Sequence, residues 1–103
     1  MSSVNAEAAY NQVGTVYAQG CSGFICALLG KPWKKADSFT QGSYVGTDGS
    51  YSGLSPGDII GFPGHVGVYG GRAGKIFVDV NGEGGSVRTL KSYGPQKVYK
   101  YSY

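Results

Sequence analysis

Hydrophobic residues follow a helical spacing in the first third of the chain, whereas the rest alternates short apolar runs with turn residues. A first helix is predicted from Val4 to Val13, with Ser2 or Ser3 as its N-cap. Cys21 to Leu29 is apolar enough to predict a buried second helix, and Gly30 is a typical residue for ending it. The second helix is therefore expected to begin at a cysteine.

A polar segment from Lys31 to Gly57 separates the predicted helices from the predicted strands. It is rich in Gly, Ser and Tyr, which predicts an exposed loop. Within it, Ala36 to Gln41 predicts a short helix. The remainder of the segment is expected to contain neither helix nor strand.

Five strand-like runs occupy the rest of the chain, and the pairs between them (Pro-Gly, Gly-Gly, Asn-Gly and Gly-Pro) are residues that turns require. The predicted strands are Asp58 to Phe62, His65 to Tyr69, Lys75 to Val80, Ser86 to Leu90 and Lys97 to Tyr103. Such a series predicts an antiparallel meander. Helices followed by strands indicate an α+β domain, in which the N-terminal helices pack on one face of an antiparallel sheet of about five strands.

The bulk composition narrows the class of protein. Of the 103 residues, 41% are hydrophobic and 15% are charged, which is typical of a globular chain with room for a single domain, residues 1–103. The net charge of +3 comes from scattered Lys and Arg without the interleaved aromatics of a nucleic-acid platform, so we expect no nucleic-acid partner. No apolar stretch is long enough to span a bilayer, and Met1 to Val13 lacks the features of a secretory signal. We expect a monomer that does not insert into membranes.

The two cysteines, Cys21 and Cys26, are not expected to form a disulfide. Five positions apart on a helix, they would lie about 7.5 Å apart along the axis and about 140° around it, which is outside disulfide geometry. A metal site would need more ligands at suitable spacing, so we expect neither a metal nor another cofactor. Cys26 lies among apolar residues and is interpreted as core. Cys21 lies at a helix N-terminus, which lowers the pKa of a thiol and favours a nucleophile.

The sole histidine, His65, begins a predicted strand, and Gly67 leaves that face of the strand uncrowded. If this strand and the next form a hairpin around the intervening glycines, Asp79 lies directly across from His65, with Cβ atoms about 4.5–5.5 Å apart. A register shifted by two residues would favour Asn81 instead. Alone, each residue is more typical of a structural role. Together they predict Cys21 as nucleophile, His65 as base and Asp79 as the residue that orients the base.

Three stretches occur in a defined order: Gly20 to Phe24 (GCSGF), Leu54 to Ile60 (LSPGDII) and Gly64 to Tyr69 (GHVGVY). Together they resemble the signature stretches of the NlpC/P60 peptidases, and the combination is more specific than any one of them. The resemblance implies a papain-like fold and hydrolysis of an amide bond in peptidoglycan stem peptides. The bond that relatives commonly cut joins D-glutamate to the diamino residue.

The same resemblance assigns further roles. The family's third catalytic position, a polar residue on the strand after the histidine, falls on Asp79. Tyr17 and Ser22 are implied as substrate-pocket residues. The chain departs from the family pattern at Gly20, where relatives usually carry an aspartate that helps to bind the free amine of the stem.

The small size of the chain, without a wall-binding repeat or signal peptide, is similar to the type VI secretion amidase effectors. That similarity implies an antibacterial toxin that leaves the cell without a classical signal peptide. It would act in the periplasm or cell wall of a target bacterium and be paired with a cognate immunity protein. Two alternatives remain open. One is a non-catalytic wall- or protein-binding module that uses the tyrosines and the 31–57 loop; the other is a papain-like hydrolase or acyltransferase acting on another amide or ester.

Overall fold

The computed structural model describes residues 3–103, which form helices on one side of a six-stranded antiparallel sheet. The helices are α1 (Ala6–Asn11), α2 (Gly20–Leu29) and a 3₁₀ helix (Ala36–Ser38). The strands are β1 (Thr40–Thr47), β2 (Ile59–Phe62), β3 (His65–Arg72), β4 (Lys75–Val80), β5 (Val87–Leu90) and β6 (Lys97–Ser102). Their order in the sheet is β1-β6-β2-β3-β4-β5. The predicted α+β class is confirmed.

Helix α1 is shorter than predicted and has a different N-cap. The side chain of Asn5 accepts a hydrogen bond from the backbone N–H of Ala8 at 2.9 Å, so the helix begins at Ala6. The predicted cap at Ser3 is wrong because that residue lies in an isolated β-bridge ahead of the helix. The alternative cap, Ser2, lies outside the described residues.

Strand β1 lies inside the segment that was predicted to be a loop. Its first five residues are exposed, and only Val45 and Gly46 are buried, so the strand lacks the apolar alternation that reveals strands in a sequence. It pairs with β6 at one edge of the sheet. The predicted short helix is reduced to the 3₁₀ turn Ala36–Ser38. The sheet therefore has six strands where about five were predicted.

The predicted meander is correct for β2 to β5, whereas β6 returns to pair with β2 and β1. Helix α2 packs against this sheet through Phe24 and Ile25, which are fully buried against valines of β3 and β4, including Val66 and Val78. Burying such side chains stabilises the fold by roughly 1.5–3 kcal/mol each. The packing fixes the start of α2 beside β3. Within residues 3–103, no helix is long and apolar enough to cross a membrane.

Candidate active site

Cys21 is the second residue of α2, and glycine on its N-terminal side shapes the entry into the helix. Gly20 has φ of 67°, a left-handed conformation that favours glycine. A Cβ added there would lie 3.0 Å from the backbone carbon of Gly82. The aspartate that the family resemblance leads one to expect at this position would therefore be strained and crowded. Glycine at this position avoids both the backbone strain and the close contact.

The structure brings Cys21, His65 and Asp79 together as a hydrogen-bonded series. The Nε2 atom of His65 lies 2.7 Å from Oδ2 of Asp79. The side chain of His65 also hydrogen-bonds the half-buried thiol of Cys21. The imidazole therefore lies between a sulfur and a carboxylate.

The observed β3–β4 register is shifted by two residues from the one predicted first; it is the register that was expected to favour Asn81, yet His65 contacts Asp79. Val68 pairs with Val78, and continuing this register places Gly67 across from Asp79. A Cβ at Gly67 would lie only 3.1 Å from that of Asp79. The missing side chain thus leaves room for the carboxylate to reach diagonally to His65. Asn81, the alternative partner, is exposed and lies beyond the end of β4.

The carboxylate of Asp79 is fully buried and accepts hydrogen bonds from two side chains besides His65. Arg88 Nε donates to Oδ1 at 2.8 Å, and Tyr93 Oη donates to Oδ2 at 2.7 Å. Sequence reasoning missed both donors. Arg88 lies directly opposite Asp79 in the β4–β5 pair, so pairing those two predicted strands would have indicated an opposite-charge pair. Tyr93 lies in a loop, and nothing in the sequence pattern marks it.

The contacts set the protonation states of the series. Burial raises the pKa of the Cys21 thiol, but hydrogen bonds from His65 and from the backbone N–H groups of Val66 and Ser22 outweigh burial, so the pKa lies below its ordinary value. Burial lowers the pKa of His65, and the hydrogen bonds to Asp79 and Cys21 outweigh this and raise the pKa to about 9. Burial likewise raises the pKa of Asp79, yet its three donors hold it below the usual range. Both shifts favour the thiolate–imidazolium pair over the neutral thiol and imidazole.

An open cleft of about 260 Å³ adjoins the thiol. Cys21 and Ser22 lie in its lining, and Ser22 is buried with its hydroxyl accepting a hydrogen bond from Trp33. Tyr17 lies outside this lining. Its ring packs edge-on against that of Phe24 in α2, with ring centroids 5.4 Å apart, so Tyr17 contributes to the packing of the helix. Five further side chains of the lining were not identified from the sequence: Gln19, Trp33, Lys35, Asp37 and Glu83.

No family model, curated protein or solved structure matches the chain. The chemistry of the site therefore follows from its own geometry. Among residues 3–103, no three His, Cys, Asp or Glu side chains form a group that could hold a metal ion. What the geometry offers is a polarised thiol with a proton donor beside it.

The start of α2 adds a second element of this chemistry. The first N–H groups of a helix have no partner within the helix, and they carry a partial positive charge. Gln19 occupies the N-cap position without a capping hydrogen bond from its side chain. The N–H of Gly20 donates to the carbonyl of Tyr17 and that of Gly23 to the carbonyl of Gln19, so a negatively charged oxygen formed next to Cys21 would meet the N–H of Cys21. The site thus combines a nucleophile, a proton carrier and an anion-stabilising backbone.

Proposed function

We propose that this protein is a cysteine amidase that hydrolyses an amide bond in peptidoglycan stem peptides, between D-glutamate and the diamino residue. The observation that carries the proposal is the hydrogen-bonded series Cys21, His65 and Asp79 beside an open cleft. A buried orienting carboxylate, an imidazole and a thiol at a helix start form the arrangement that nucleophilic amide hydrolysis requires. Cys21 is the nucleophile, and His65 carries the proton.

The reaction has two covalent stages. The Cys21 thiolate attacks the carbonyl carbon, and the new C–S bond pushes an electron pair onto the carbonyl oxygen. When this intermediate collapses, the C–N bond breaks and the imidazolium of His65 gives its proton to the departing amine. Neutral His65 then takes a proton from water as the water oxygen attacks the thioester. The C–S bond breaks, which releases the carboxylic acid and restores the thiolate–imidazolium pair.

Two features of this site assist both stages. The backbone N–H of Cys21, at the start of α2, stabilises the oxyanion, and removing a single donor of this kind from an enzyme typically costs about 10²–10³ in rate. Asp79 fixes the ring orientation of His65 and stabilises the imidazolium. Arg88 and Tyr93 act through Asp79 and are positioning residues.

The proposed substrate rests on the three sequence stretches that resemble NlpC/P60 peptidases. The proposal of a papain-like fold rests on the same resemblance. The order of helix, strand with histidine and strand with acid is consistent with that resemblance. Export without a classical signal, action in the periplasm or cell wall of a target bacterium and a cognate immunity protein belong to the same proposal. They rest on the similarity to type VI secretion amidase effectors.

Digestion of purified peptidoglycan tests the proposal. The wild-type protein should release fragments that have gained one water and carry a new free amine on the diamino residue, as read by mass spectrometry. Cys21→Ala should abolish release, whereas Cys26→Ala provides a matched control because Cys26 is buried in the core. Equal digestion by Cys21→Ala and wild type would overturn the mechanism. Products joined to an added amine instead of water would indicate an acyltransferase.

A further inference from the structure

The single tryptophan of the chain lies in the wall of the cleft that holds the thiol. Trp33 is 49% exposed although it is the bulkiest side chain type. Its indole N–H donates to the buried hydroxyl of Ser22 at 3.0 Å. The ring is therefore held beside the nucleophile by its polar edge, while about half of its surface remains open.

The residues on either side of Trp33 are also held in place. Tyr103 Oη donates to the carbonyl of Pro32 at 2.6 Å. The ammonium of Lys34 lies 4.1 Å from the centre of the Tyr103 ring and donates to the carbonyl of Tyr103. A solvent-exposed aromatic ring that is held on both sides needs little further ordering when a ligand binds. A ring that served only to fill the core would be buried.

Apart from Ala36, the remaining side chains of this wall are polar or charged. Lys35, Asp37, Glu83 and Gln19 are exposed around the cleft, and Ala36 is the small apolar side chain among them. An apolar side chain of a substrate would find one aromatic face and otherwise polar groups. A pyranose ring fits better, since its C–H face stacks on an indole while its hydroxyl and amide substituents hydrogen-bond polar groups at the rim.

We propose that Trp33 is a stacking platform for a sugar ring of the glycan strand that carries the stem peptide. The inference rests on the proposed function and deepens it: the substrate is the glycan-attached stem rather than the free stem peptide. Trp33 sets this preference by contacting the sugar while Cys21 contacts the amide. The preference is expressed in binding, because the sugar lies away from the reacting atoms.

Binding to the inactive Cys21→Ala protein tests the inference without any turnover. The two probes are a disaccharide–tetrapeptide from peptidoglycan and the same tetrapeptide without sugar. By calorimetry, the disaccharide–tetrapeptide should bind about tenfold more tightly, in line with one well-placed aromatic contact. Since the chain has one tryptophan, its fluorescence reports directly on this ring and should change with the sugar-bearing probe alone. Equal affinity for the two probes would overturn the inference.

Variants of Trp33 in the Cys21→Ala background locate the effect. Trp33→Ala should bind both probes equally, and Trp33→Phe, which keeps an aromatic face, should retain part of the preference. Tyr44→Ala is the matched control, because Tyr44 is 54% exposed on β1 and lies outside the cleft lining. A preference that survives in both Trp33 variants would also overturn the inference.

Measuring cleavage of the two probes distinguishes a failure of the sugar platform from a failure of the proposed amidase activity. With Cys21 present, Trp33→Ala should raise KM for the disaccharide–tetrapeptide about tenfold and leave kcat unchanged within about twofold. A wild-type protein that cleaves both probes equally well would overturn the platform and leave the amidase standing. A protein that prefers the sugar-bearing probe in binding but cleaves neither would overturn the amidase and leave the platform standing.

Discussion

Gly67 lies across the β3–β4 pair from Asp79, and the space that its missing side chain leaves is taken by the hydroxyl of Tyr93 and the Cβ of Asp79. A Cβ added at Gly67 would lie 2.8 Å from Tyr93 Oη and 3.1 Å from the Asp79 Cβ. The contact between His65 and its carboxylate partner therefore depends on a glycine two residues further along the strand. One small residue connects the pairing of two strands to the geometry of the site.

The first prediction concerns this glycine. Gly67→Ala should displace Tyr93 and Asp79, lower the free energy of unfolding by about 1–3 kcal/mol and reduce kcat more than KM changes. Urea denaturation and peptidoglycan turnover measure the two effects. Gly74→Ala is the control for turnover: its φ of 73° makes alanine cost stability there too, but an added Cβ meets nothing within 4 Å, so kcat should be unchanged. Unchanged kcat in Gly67→Ala would contradict the role assigned to this space.

The second prediction concerns the reactivity of Cys21. Alkylation by iodoacetamide follows the thiolate, and the pKa of Cys21 is lowered while that of His65 is raised to about 9. In a Cys26→Ala background, the alkylation rate should already be high at pH 7, and the catalytic rate should fall as the pH rises through about 9 and His65 loses its proton. His65→Ala should slow alkylation at pH 7 by about tenfold or more. An ordinary thiol rate in the wild type would instead favour the non-catalytic binding module.

The third prediction concerns acid stability. The pKa of Asp79 is lowered in the folded protein, so its contribution to stability is present above the ordinary value of 3.8 and is lost as the pH falls through the lowered folded value. Asp79→Asn should lower the free energy of unfolding at pH 7 by about 1–3 kcal/mol, because donors lose their ionised partner. In urea titrations, the gap between wild type and variant should narrow below about pH 4. A gap that stays constant down to pH 2 would show that ionisation of Asp79 is not its source.

The fourth prediction concerns Gly20, which precedes the nucleophile in a left-handed conformation. Gly20→Asp should destabilise the protein by about 2 kcal/mol or more, since it combines a left-handed backbone with crowding at Gly82. Gly30→Asp is a matched control, because Gly30 has φ of 65° but open space around an added Cβ. Thermal unfolding should show the larger loss at Gly20. A gain of stability or activity in Gly20→Asp would refute the steric explanation.

The sequence predicted the fold class and the meeting of Cys21, His65 and Asp79, and missed most of what surrounds them. The contact between His65 and Asp79 is present although the β3–β4 register is shifted by two residues. Such a shift keeps both side chains on the same face of the sheet. Strand β1 was missed because most of its residues are exposed at an edge, so hydrophobic alternation carries no signal there. Tyr93 and Trp33 lie in loops, and only tertiary packing brings them to the site.

Strand β5 is the short outer strand of the sheet, and it supplies the guanidinium of Arg88 to Asp79. Short outer strands open at a lower free energy than the interior of a domain, which hydrogen exchange detects as early loss of protection. Such opening would leave the imidazole with a carboxylate that has lost its counter-charge while most of the sheet remains folded. On heating, we therefore expect turnover to decline ahead of the cooperative melting of the domain.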